Sequence, residues 1–265
     1  MKEYWAAGIV LVLVLASAAV GLLLQGALRE RHRSRETTDA VRLVISILVT
    51  FTALVLGLVT SSVKSSYDQF DGRLRGYASD LTELDQRMRE YGEGADPIRA
   101  MLRTYVAAAI ADTWRDEPRP AGAYPVFSDP TPNVERQPLG ALLIDLDVAI
   151  RRLAPDDDFH RKLADILSSR MTETMQQRWL LVVSLKDTIS APMLILMTGW
   201  LVMIFGVFGL SSPRNGVVYA TILMCALSLS SAVYLIVDLD SPLDGWIQVS
   251  SAPMRDALSH IDAPK

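Results

Sequence analysis

The chain has 265 residues, of which 50% are hydrophobic and 21% are charged, and its formal net charge is −4. The charged fraction is ordinary for a soluble protein while the hydrophobic fraction is high, so the apolar residues must be segregated into blocks. The single cysteine, Cys225, excludes an intramolecular disulfide framework.

Four blocks of the chain contain no Asp, Glu, Lys, Arg or His, and each is about 20 residues or longer. They cover residues 5–28, 43–63, 191–210 and 216–237. At a rise of about 1.5 Å per residue, each block can cross a hydrocarbon core of roughly 30 Å as a helix, which satisfies its own backbone hydrogen bonds there. The sequence therefore predicts four transmembrane helices.

The first block could instead be a cleaved signal peptide, because Lys2 precedes it and the sequence ASA at 16–18 resembles a cleavage site. The apolar run continues to Leu28, however, which is longer than the roughly 7 to 15 residues of a signal-peptide core. We therefore expect the block to remain as a span, with Tyr4 and Trp5 as interfacial anchors.

The spans pair into two hairpins that flank a polar block. The predicted regions are a first hairpin at 1–63, a polar helical domain at 64–189, a second hairpin at 190–237 and a C-terminal tail at 238–265. Residues 29–42 would form the loop of the first hairpin. In the tail, Pro253 opens a short helix that carries Met254, Leu258 and Ile261 on one face, which favours docking on the helical domain.

The second span is predicted to continue into the polar block as one helix, because the apolar residues that follow it recur at alternating steps of four and three. These seam residues are Val63, Tyr67, Phe70, Leu74, Tyr77, Leu81, Leu84, Met88 and Tyr91. Glycines on this stretch cost about 1 kcal/mol each, but burying a large seam residue contributes about 1.5 to 3 kcal/mol. The helix should therefore run over 43–91, with Gly92 and Gly94 as C-terminal caps.

The rest of the polar block predicts three more helices. Asp96 would cap a helix whose apolar stripe reaches Trp114, and residues 115–138 contain six prolines, which indicates a loop. A third helix follows at 139–153, and a fourth begins at Pro155. The apolar stripe of the fourth helix comprises Phe159, Leu163, Ile166, Leu167, Met171 and Met175. The predicted fold class is an all-α membrane protein.

No pattern of catalytic, cofactor-binding or metal-binding residues stands out, so we expect neither an enzyme nor a cofactor. His32, His160 and His260 lie in separate segments without a second ligand at metal spacing. The three aspartates at 156–158 could bind a metal, but they also complement a helix dipole. The sequence DLDSPLDG at 238–245 could bind a cation or could be a solvated helix exit.

One face of the second span carries small or hydroxylated residues at steps of three and four. Its members are Ser46, Thr50, Ala53, Gly57, Ser61 and, just beyond the span, Ser65. One interpretation is close helix packing, with hydroxyls bonded back to the backbone. The other is a pore lining on an oligomer axis. None of the four spans carries an ionisable residue, which disfavours a proton-coupled carrier but not a passive channel.

Segments spread over nearly the whole chain resemble the bacterial bestrophin-like family. They are TALVLGL at 52–58, KSSYD at 64–68, LTELD at 81–85, FGLSSPRN at 208–215, CALSLS at 225–230 and LDSPLDGWIQVSSAPMRDAL at 239–258. Bestrophins are oligomeric anion channels with four spans per subunit and a cytosolic helical domain. The resemblance implies that fold and a passive anion channel. The alternative is a membrane-anchored helical interaction protein without transport activity.

Charge leaves the membrane orientation open. The five arginines of 29–42, with Arg214 in the second short loop, place both loops in the cytoplasm by the positive-inside rule. The bestrophin resemblance instead places the polar block there. We expect a bacterial inner-membrane protein with a cytosolic helical domain. The expected partners are the lipid bilayer, further copies of the chain and small anions, and no nucleic acid.

Overall fold

The computed structural model describes residues 2–27, 35–125, 137–185 and 191–264, and within these ranges the chain forms eight α-helices and no strand. The helices are α1 (Lys2–Ala27), α2 (Arg35–Tyr91), α3 (Asp96–Thr113), α4 (Gln137–Arg151), α5 (Asp158–Ser184), α6 (Ala191–Ser211), α7 (Gly216–Leu239) and α8 (Ala252–Asp262). The predicted all-α fold, with a helical domain between the second and third apolar helices, is confirmed.

The chain folds as two compact units. The membrane unit consists of Met1–Tyr67, Thr188–Ser241 and Gly245–Ile247, and the helical unit consists of Asp68–Asp187, Pro242–Asp244 and Gln248–Lys265. Four helices contain stretches long and apolar enough to cross a membrane, as predicted. These stretches lie within Tyr4–Gln25, Asp39–Tyr91, Pro192–Ser211 and Gly216–Leu239.

Helix α2 is unbroken over 57 residues, from Arg35 to Tyr91, which confirms the continuous helix predicted from the seam. The expected start at residue 43 is wrong, because the helix already includes residues 35–42. That segment contains no proline or glycine, the two residues that are least favourable within a helix. The hairpin loop is therefore shorter than 29–42, and residues 28–34 lie outside the described ranges.

Gly92 ends α2 as predicted, with a φ of 90° in the left-handed region. Gly94 does not act as a second cap. It lies in a short 3-10 turn, Glu93–Ala95, and has no positive φ. One left-handed residue is enough to close the helix, and the turn leads directly into α3.

In the membrane unit, α1 packs against α6 and α7 around a core that includes Val14, Met197 and Val233. The contact with α6 is close because glycines face the opposing backbone. A Cβ added at Gly21 would lie 2.1 Å from the Gly206 carbonyl oxygen, and one at Gly209 would lie 2.1 Å from the Ala18 carbonyl oxygen. Small residues that let two backbones approach in this way are typical of membrane helix pairs.

In the helical unit, the α2 seam forms the core as predicted. Phe70, Leu74 and Tyr77 are buried, and Leu81, Leu84 and Met88 have no exposed surface. Helix α3 adds Leu102, Val106 and Ile110, and α4 adds Leu143, Leu146 and Ile150. Burial of these apolar side chains supplies the driving force for a bundle that the polar residues between them could not provide.

The helix boundaries in this unit differ from the predictions by one to three residues. Asp96 is the first residue of α3 rather than its cap, since Ala95 holds the cap position. Helix α4 begins at Gln137, inside the predicted proline-rich loop, whose residues 126–136 lie outside the described ranges. Helix α5 begins at Asp158 with Asp157 as its cap, because that carboxylate accepts the His160 N–H.

The stripe predicted for α5 is partly wrong. Leu163, Leu167 and Met171 are buried, but Phe159 and Ile166 are 61% and 41% exposed. Further along α5 the buried face continues through Thr174, Arg178 and Leu181 instead of Met175. Thr174 can be buried because its hydroxyl donates to the Arg170 carbonyl at 2.8 Å, and Arg178 because it hydrogen-bonds to Tyr105. Apolar spacing alone does not reveal either position.

The tail helix α8 docks on the helical unit, as predicted, with Met254, Leu258 and Ile261 buried. Its C-terminus is fixed by Arg89, whose guanidinium donates to the carbonyls of His260 (2.8 Å) and Ala263 (2.9 Å). The same guanidinium donates at 2.6 Å to Asp85. This buried carboxylate also binds Arg99 at 2.8 Å, so its charge is compensated from two sides.

Candidate functional site

The six residues of the small, hydroxylated face are all exposed on the folded chain. We call this surface of α2 the hydroxyl strip, and it consists of Ser46, Thr50, Ala53, Gly57, Ser61 and Ser65. A Cβ added at Gly57 would meet no atom within 4 Å. The strip is therefore not a packing surface between described helices of one chain.

The opposite side of α2 explains this orientation. Thr52, Val59 and Val63 are buried, and Val59 and Val63 pack with Ile236 and Leu239 of α7. These positions are offset by about half a turn from the hydroxyl strip. Because these β-branched residues of α2 anchor the helix to its own chain, the small residues point away from it.

The hydroxyl strip has a leucine-rich neighbour on the same exposed half of α2. Phe51, Leu54 and Leu58 are between 55% and 59% exposed, as expected for side chains that meet lipid acyl chains or another apolar surface. The strip itself offers little hydrophobic area. Exposed α2 therefore carries large apolar side chains beside the small and hydroxylated ones, and the apolar ones suit lipid.

The hydroxyls of the strip are not equivalent as hydrogen-bond donors. Ser46 donates to the Arg42 carbonyl and Thr50 to the Ser46 carbonyl, each at 2.8 Å, so both satisfy backbone of their own helix. Ser61 makes no such bond with any described residue. An anion needs donors, so Ser61 is the strip residue best prepared to offer one.

One basic residue lies before the first residue of the hydroxyl strip, and another lies next to its last residue, Ser65. Arg42 precedes Ser46 by one helical turn, and Lys64 follows Ser61 by three positions, so both extend the same face. Arg42 lines a hollow of about 610 Å³ between α2 and α6 that also reaches Ser46 and Phe208. Positive charge at both ends of a narrow surface raises the local concentration of anions.

A second polar cluster lies inside the helical unit. Tyr77 and Tyr105 are buried and their hydroxyl oxygens are 2.5 Å apart, and Arg178 hydrogen-bonds to Tyr105. They line a cavity of about 30 Å³ together with Thr113, which is large enough for a water molecule. Burial raises the pKa of the Tyr105 hydroxyl because the phenolate would be poorly solvated there, so Tyr105 is a neutral hydrogen-bonding group.

The two aspartate clusters have structural roles. Asp157 caps α5 through its bond from His160 N–H at 2.8 Å, and Asp158 pairs with Arg161. The hydrogen bonds from His160 lower the pKa of Asp157. The expectation of a solvated helix exit is wrong for Asp238, because it is fully buried and its carboxylate accepts backbone N–H groups of the following turn.

Within the described residues, no group of three or more His, Cys, Asp or Glu side chains is arranged to hold a metal ion. His160 bonds to Asp157, and His260 lies at the end of α8. His32 lies outside the described ranges.

Comparison with known proteins gives a family for this arrangement. The sequence profile described as Bestrophin-like domain matches residues 12–254, which is most of the chain. The chain belongs to the bestrophin-like family. Its fold is also similar to the crystal structure of a bacterial bestrophin homologue from Klebsiella pneumoniae that carries a point mutation. The TM-score is 0.57 at 13% sequence identity, over 98% of this chain and 99% of that one.

No curated protein matches this bestrophin-like chain, and the structural similarity at this low identity concerns the fold. Residue roles must therefore come from the chain itself. Sequence reasoning found the hydroxyl strip but missed its basic ends, although Arg42 and Lys64 continue its spacing and could have been found. It also missed Arg178 of the buried tyrosine cluster, because an arginine within a polar helix resembles a solvated residue.

Proposed function

We propose that this bestrophin-like chain assembles with copies of itself into a passive anion channel in the bacterial inner membrane. The observation that carries the proposal is the hydroxyl strip of α2, which is exposed on the folded chain and has Arg42 and Lys64 at its ends. In the assembly, the strips of several subunits would surround the conduit. Family membership supports the proposal because it supplies the bestrophin-like architecture.

The chemistry of the strip suits weak, non-trapping passage of anions. Conduction requires that an ion enters easily and also leaves easily, which a strongly charged lining in mid-membrane would hinder. Arg42 and Lys64 lie near the two ends of the strip, and the members of the strip between them are small. Ala53 and Gly57 would keep the passage wide, and Ser61 would offer a hydroxyl near one mouth.

A closed ring is the simplest assembly that covers an exposed strip on every subunit. Identical subunits related by rotation about one axis bring the same face of each copy to that axis. A ring would also give the apolar residues Phe51, Leu54 and Leu58 either a neighbouring subunit or lipid as a partner. The proposal therefore includes a homo-oligomer without specifying the number of subunits.

The decisive experiment measures assembly and halide flux in the same variant. Ser61→Arg should leave the oligomer intact by size-exclusion chromatography and alter or block chloride efflux from liposomes, because a water-filled mouth can solvate a guanidinium. Ser62→Arg is a matched control, since Ser62 is exposed at the same depth but lies about 100° further round the helix. It should leave the flux selectivity unchanged.

Two results would contradict the channel. If Ser61→Arg destroys the oligomer, the strip is a tightly packed interface without room or water for an arginine. If the unmodified oligomer passes no halide under any gating condition tried, the conduit does not exist. Equal effects of Ser61→Arg and Ser62→Arg on flux would also remove the strip from the mechanism.

A second candidate function is a membrane-anchored interaction protein that conducts nothing. It is favoured by exposed apolar side chains on α4 and α5 of the helical unit, where Ile144 is 53% and Phe159 is 61% exposed. Such side chains can form the anchors of a protein interface. If the unmodified protein conducts halide and Ile144→Ser and Phe159→Ser leave that flux unchanged, the channel is favoured. Loss of a co-purifying protein in these variants, with no flux in the unmodified protein, would favour the interaction protein.

We further propose that the helical unit lies in the cytosol. The test uses Cys225→Ala to remove the exposed native thiol and introduces one cysteine at Ser169, which is exposed on α5, or at Pro213, which is exposed between α6 and α7. In spheroplasts, an impermeant maleimide should label position 213 and spare position 169. The reverse labelling would place the helical unit outside.

A further inference from the structure

The segment that follows the last apolar helix is held by a buried carboxylate. Asp238, the penultimate residue of α7, has no exposed surface. Its Oδ1 accepts the backbone N–H of Trp246 at 3.0 Å and its Oδ2 accepts that of Ile247 at 3.0 Å. Both oxygens of one carboxylate thus bind two consecutive amides, which fixes the direction in which the Trp246 side chain leaves the backbone.

Gly245 completes this turn. Its φ of 105° lies in the left-handed region, and an added Cβ would lie 2.4 Å from Asp238 Oδ1. Any other residue there would meet the carboxylate and adopt a strained backbone at the same time. The turn is therefore held from two sides, by the Asp238 carboxylate and by the left-handed backbone of Gly245, and both determine where Trp246 lies.

The residue that this turn presents is unusually exposed. The Trp246 side chain is 83% exposed and Ile247 is 38% exposed. A tryptophan rarely stands free on a soluble surface, since its large apolar ring gains by burial. An ordered turn that holds an indole away from the protein indicates a partner for the ring.

The surroundings of the turn within the membrane unit point to lipid. Tyr4 packs against Tyr234 of α7 with ring centroids 5.3 Å apart, so the N-terminus of α1 and the C-terminal part of α7 lie at the same end of the unit. Trp5, 74% exposed, belongs to this end. Amphipathic aromatic rings at one end of apolar helices are typical of the membrane–water interface.

We propose that Trp246 inserts its indole into the lipid headgroup layer and that Asp238 acts as the positioning residue for this anchor. The partner of the exposed indole ring is the bilayer surface, because the ring lies at the end of the membrane unit that carries the exposed Trp5 and the C-terminal part of α7. The indole places its apolar face toward the acyl chains and its N–H toward the headgroups. The Asp238 carboxylate can remain at this depth because its oxygens are satisfied by backbone N–H groups.

The first experiment locates the ring. Full-length protein and Trp246→Phe are reconstituted into vesicles whose lipids carry bromine either near the glycerol backbone or near the acyl-chain ends. The difference in emission between the two proteins reports Trp246. That emission should be lost with bromine near the glycerol backbone, be retained with bromine at the chain ends and resist aqueous iodide.

Quenching of the Trp246 emission by iodide but by neither lipid would place the ring in water and overturn the proposal. Protection from all three quenchers would place it in a protein interface, in a second copy or another partner, and would also overturn the proposal. This decision does not depend on a variant that could fail to fold, because Trp246→Phe removes only an exposed indole.

The second experiment tests Asp238 as the positioning residue. Asp238→Asn replaces one acceptor oxygen by an NH₂ group, which faces a backbone N–H and cannot accept it. We expect the Trp246 emission to shift to the red and to become accessible to iodide, with helix content by circular dichroism unchanged. Asp244→Asn is the matched control, because Asp244 is exposed in the same turn, and it should leave the quenching unchanged.

Gly245→Ala provides an independent variant of the same turn, and its added Cβ should release Trp246 in the same way. If the Trp246 emission in both Asp238→Asn and Gly245→Ala equals that of the unmodified protein, Asp238 does not position the ring. This outcome is separate from channel activity, so failure of halide flux would not bear on the anchor.

Discussion

Two groups of small residues in the membrane unit have similar chemistry and different surroundings. On α1 and α6, Gly21, Gly206 and Gly209 face an opposing helix so closely that a single methyl group would collide with it. On α2, Gly57 has no atom within 4 Å of an added Cβ. The first group is used within the chain, whereas the second remains available to something outside it.

The difference shows that a small-residue pattern does not by itself identify its partner. In lipid, close backbone approach is favourable wherever two helices can interlock, so glycine, alanine and serine serve both intramolecular packing and assembly. What separates the two uses is which side of the helix packs against its own chain. On α2, Val59 and Val63 are buried in the chain, which turns the hydroxyl strip outward.

The largest expected effect is the difference between substitutions at a buried and at an exposed position of α2. Leu81 has no exposed surface, and Gln86 is exposed. Leu81→Asp places a carboxylate in the seam without a partner, which costs several kcal/mol, whereas Gln86→Asp should change stability by about 0.5 kcal/mol or less. The measurement is the yield of folded protein by size-exclusion chromatography in detergent. Equal loss of folded protein in both variants would mean that burial of the position does not determine the effect.

The next contrast uses the same substitution in the two small-residue groups. Gly209→Ala adds a Cβ at 2.1 Å from the Ala18 carbonyl oxygen, so α1 and α6 must separate, at a cost of about 1 to 3 kcal/mol. Gly57→Ala meets nothing and improves helix propensity by up to about 1 kcal/mol. Thermal unfolding followed by circular dichroism should show a lower midpoint only for Gly209→Ala.

Gly57 also reports on assembly. Gly57→Leu should leave the fold of the chain intact, since the added side chain points away from it. If the strip is a tightly packed interface between copies, the oligomer should dissociate in size-exclusion chromatography. If the strip surrounds a water-filled conduit, the oligomer should persist with reduced flux. A destabilised chain in place of either result would contradict the exposure of Gly57.

The parts of the fold that the sequence predicted are those set by local periodicity. The α2 seam and the α8 face repeat at helical spacing. The four apolar helices follow from uncharged stretches long enough to cross a bilayer. The hydroxyl strip was found in the same way, and its exposure follows from the anchoring of Val59 and Val63. Its role in conduction remains a prediction.

The parts that were missed depend on which segments meet. Nothing in the sequence around Gly21 indicates that α6 approaches it, because most of the chain separates the two helices. In the sequence Asp238 resembled part of a solvated helix exit, because nothing there shows that the chain folds back and places two N–H groups against its carboxylate. In the sequence Arg178 resembled a surface residue, because nothing there shows that it lies next to buried tyrosines. Non-local pairing decides each of these roles, and single-sequence periodicity contains no information about it.

A smaller effect is expected when serine hydroxyls are removed from the two groups. Ser17 on α1 donates to the Val202 carbonyl of α6 at 2.6 Å, whereas Ser46 donates to Arg42 of its own helix. Hydrogen bonds between membrane helices contribute about 0.6 kcal/mol on average. Ser17→Ala should therefore lower the unfolding midpoint slightly, and Ser46→Ala should not. A larger loss for Ser46→Ala would indicate that its hydroxyl has a partner in another subunit.

The smallest expected effect tests an exposed carboxylate outside the membrane. Asp157 caps α5, and hydrogen bonds from His160 lower its pKa in the folded protein. In the unfolded chain the pKa is about 3.9. A group whose pKa is lower when folded stabilises the protein fully above the unfolded value, and this contribution is lost as the pH falls through the folded pKa.

Asp157→Asn keeps a capping oxygen but removes this titration. Between about pH 5 and pH 3, the unfolding midpoint of the unmodified protein should therefore fall more steeply than that of Asp157→Asn. Asp165→Asn is the control, because Asp165 is exposed in the middle of α5 and should keep the steeper fall. The difference should be small, since Asp157 is exposed and water competes for its hydrogen bonds. Parallel curves of unfolding midpoint against pH for all three proteins would show that the charge of the exposed cap Asp157 makes no measurable contribution to stability.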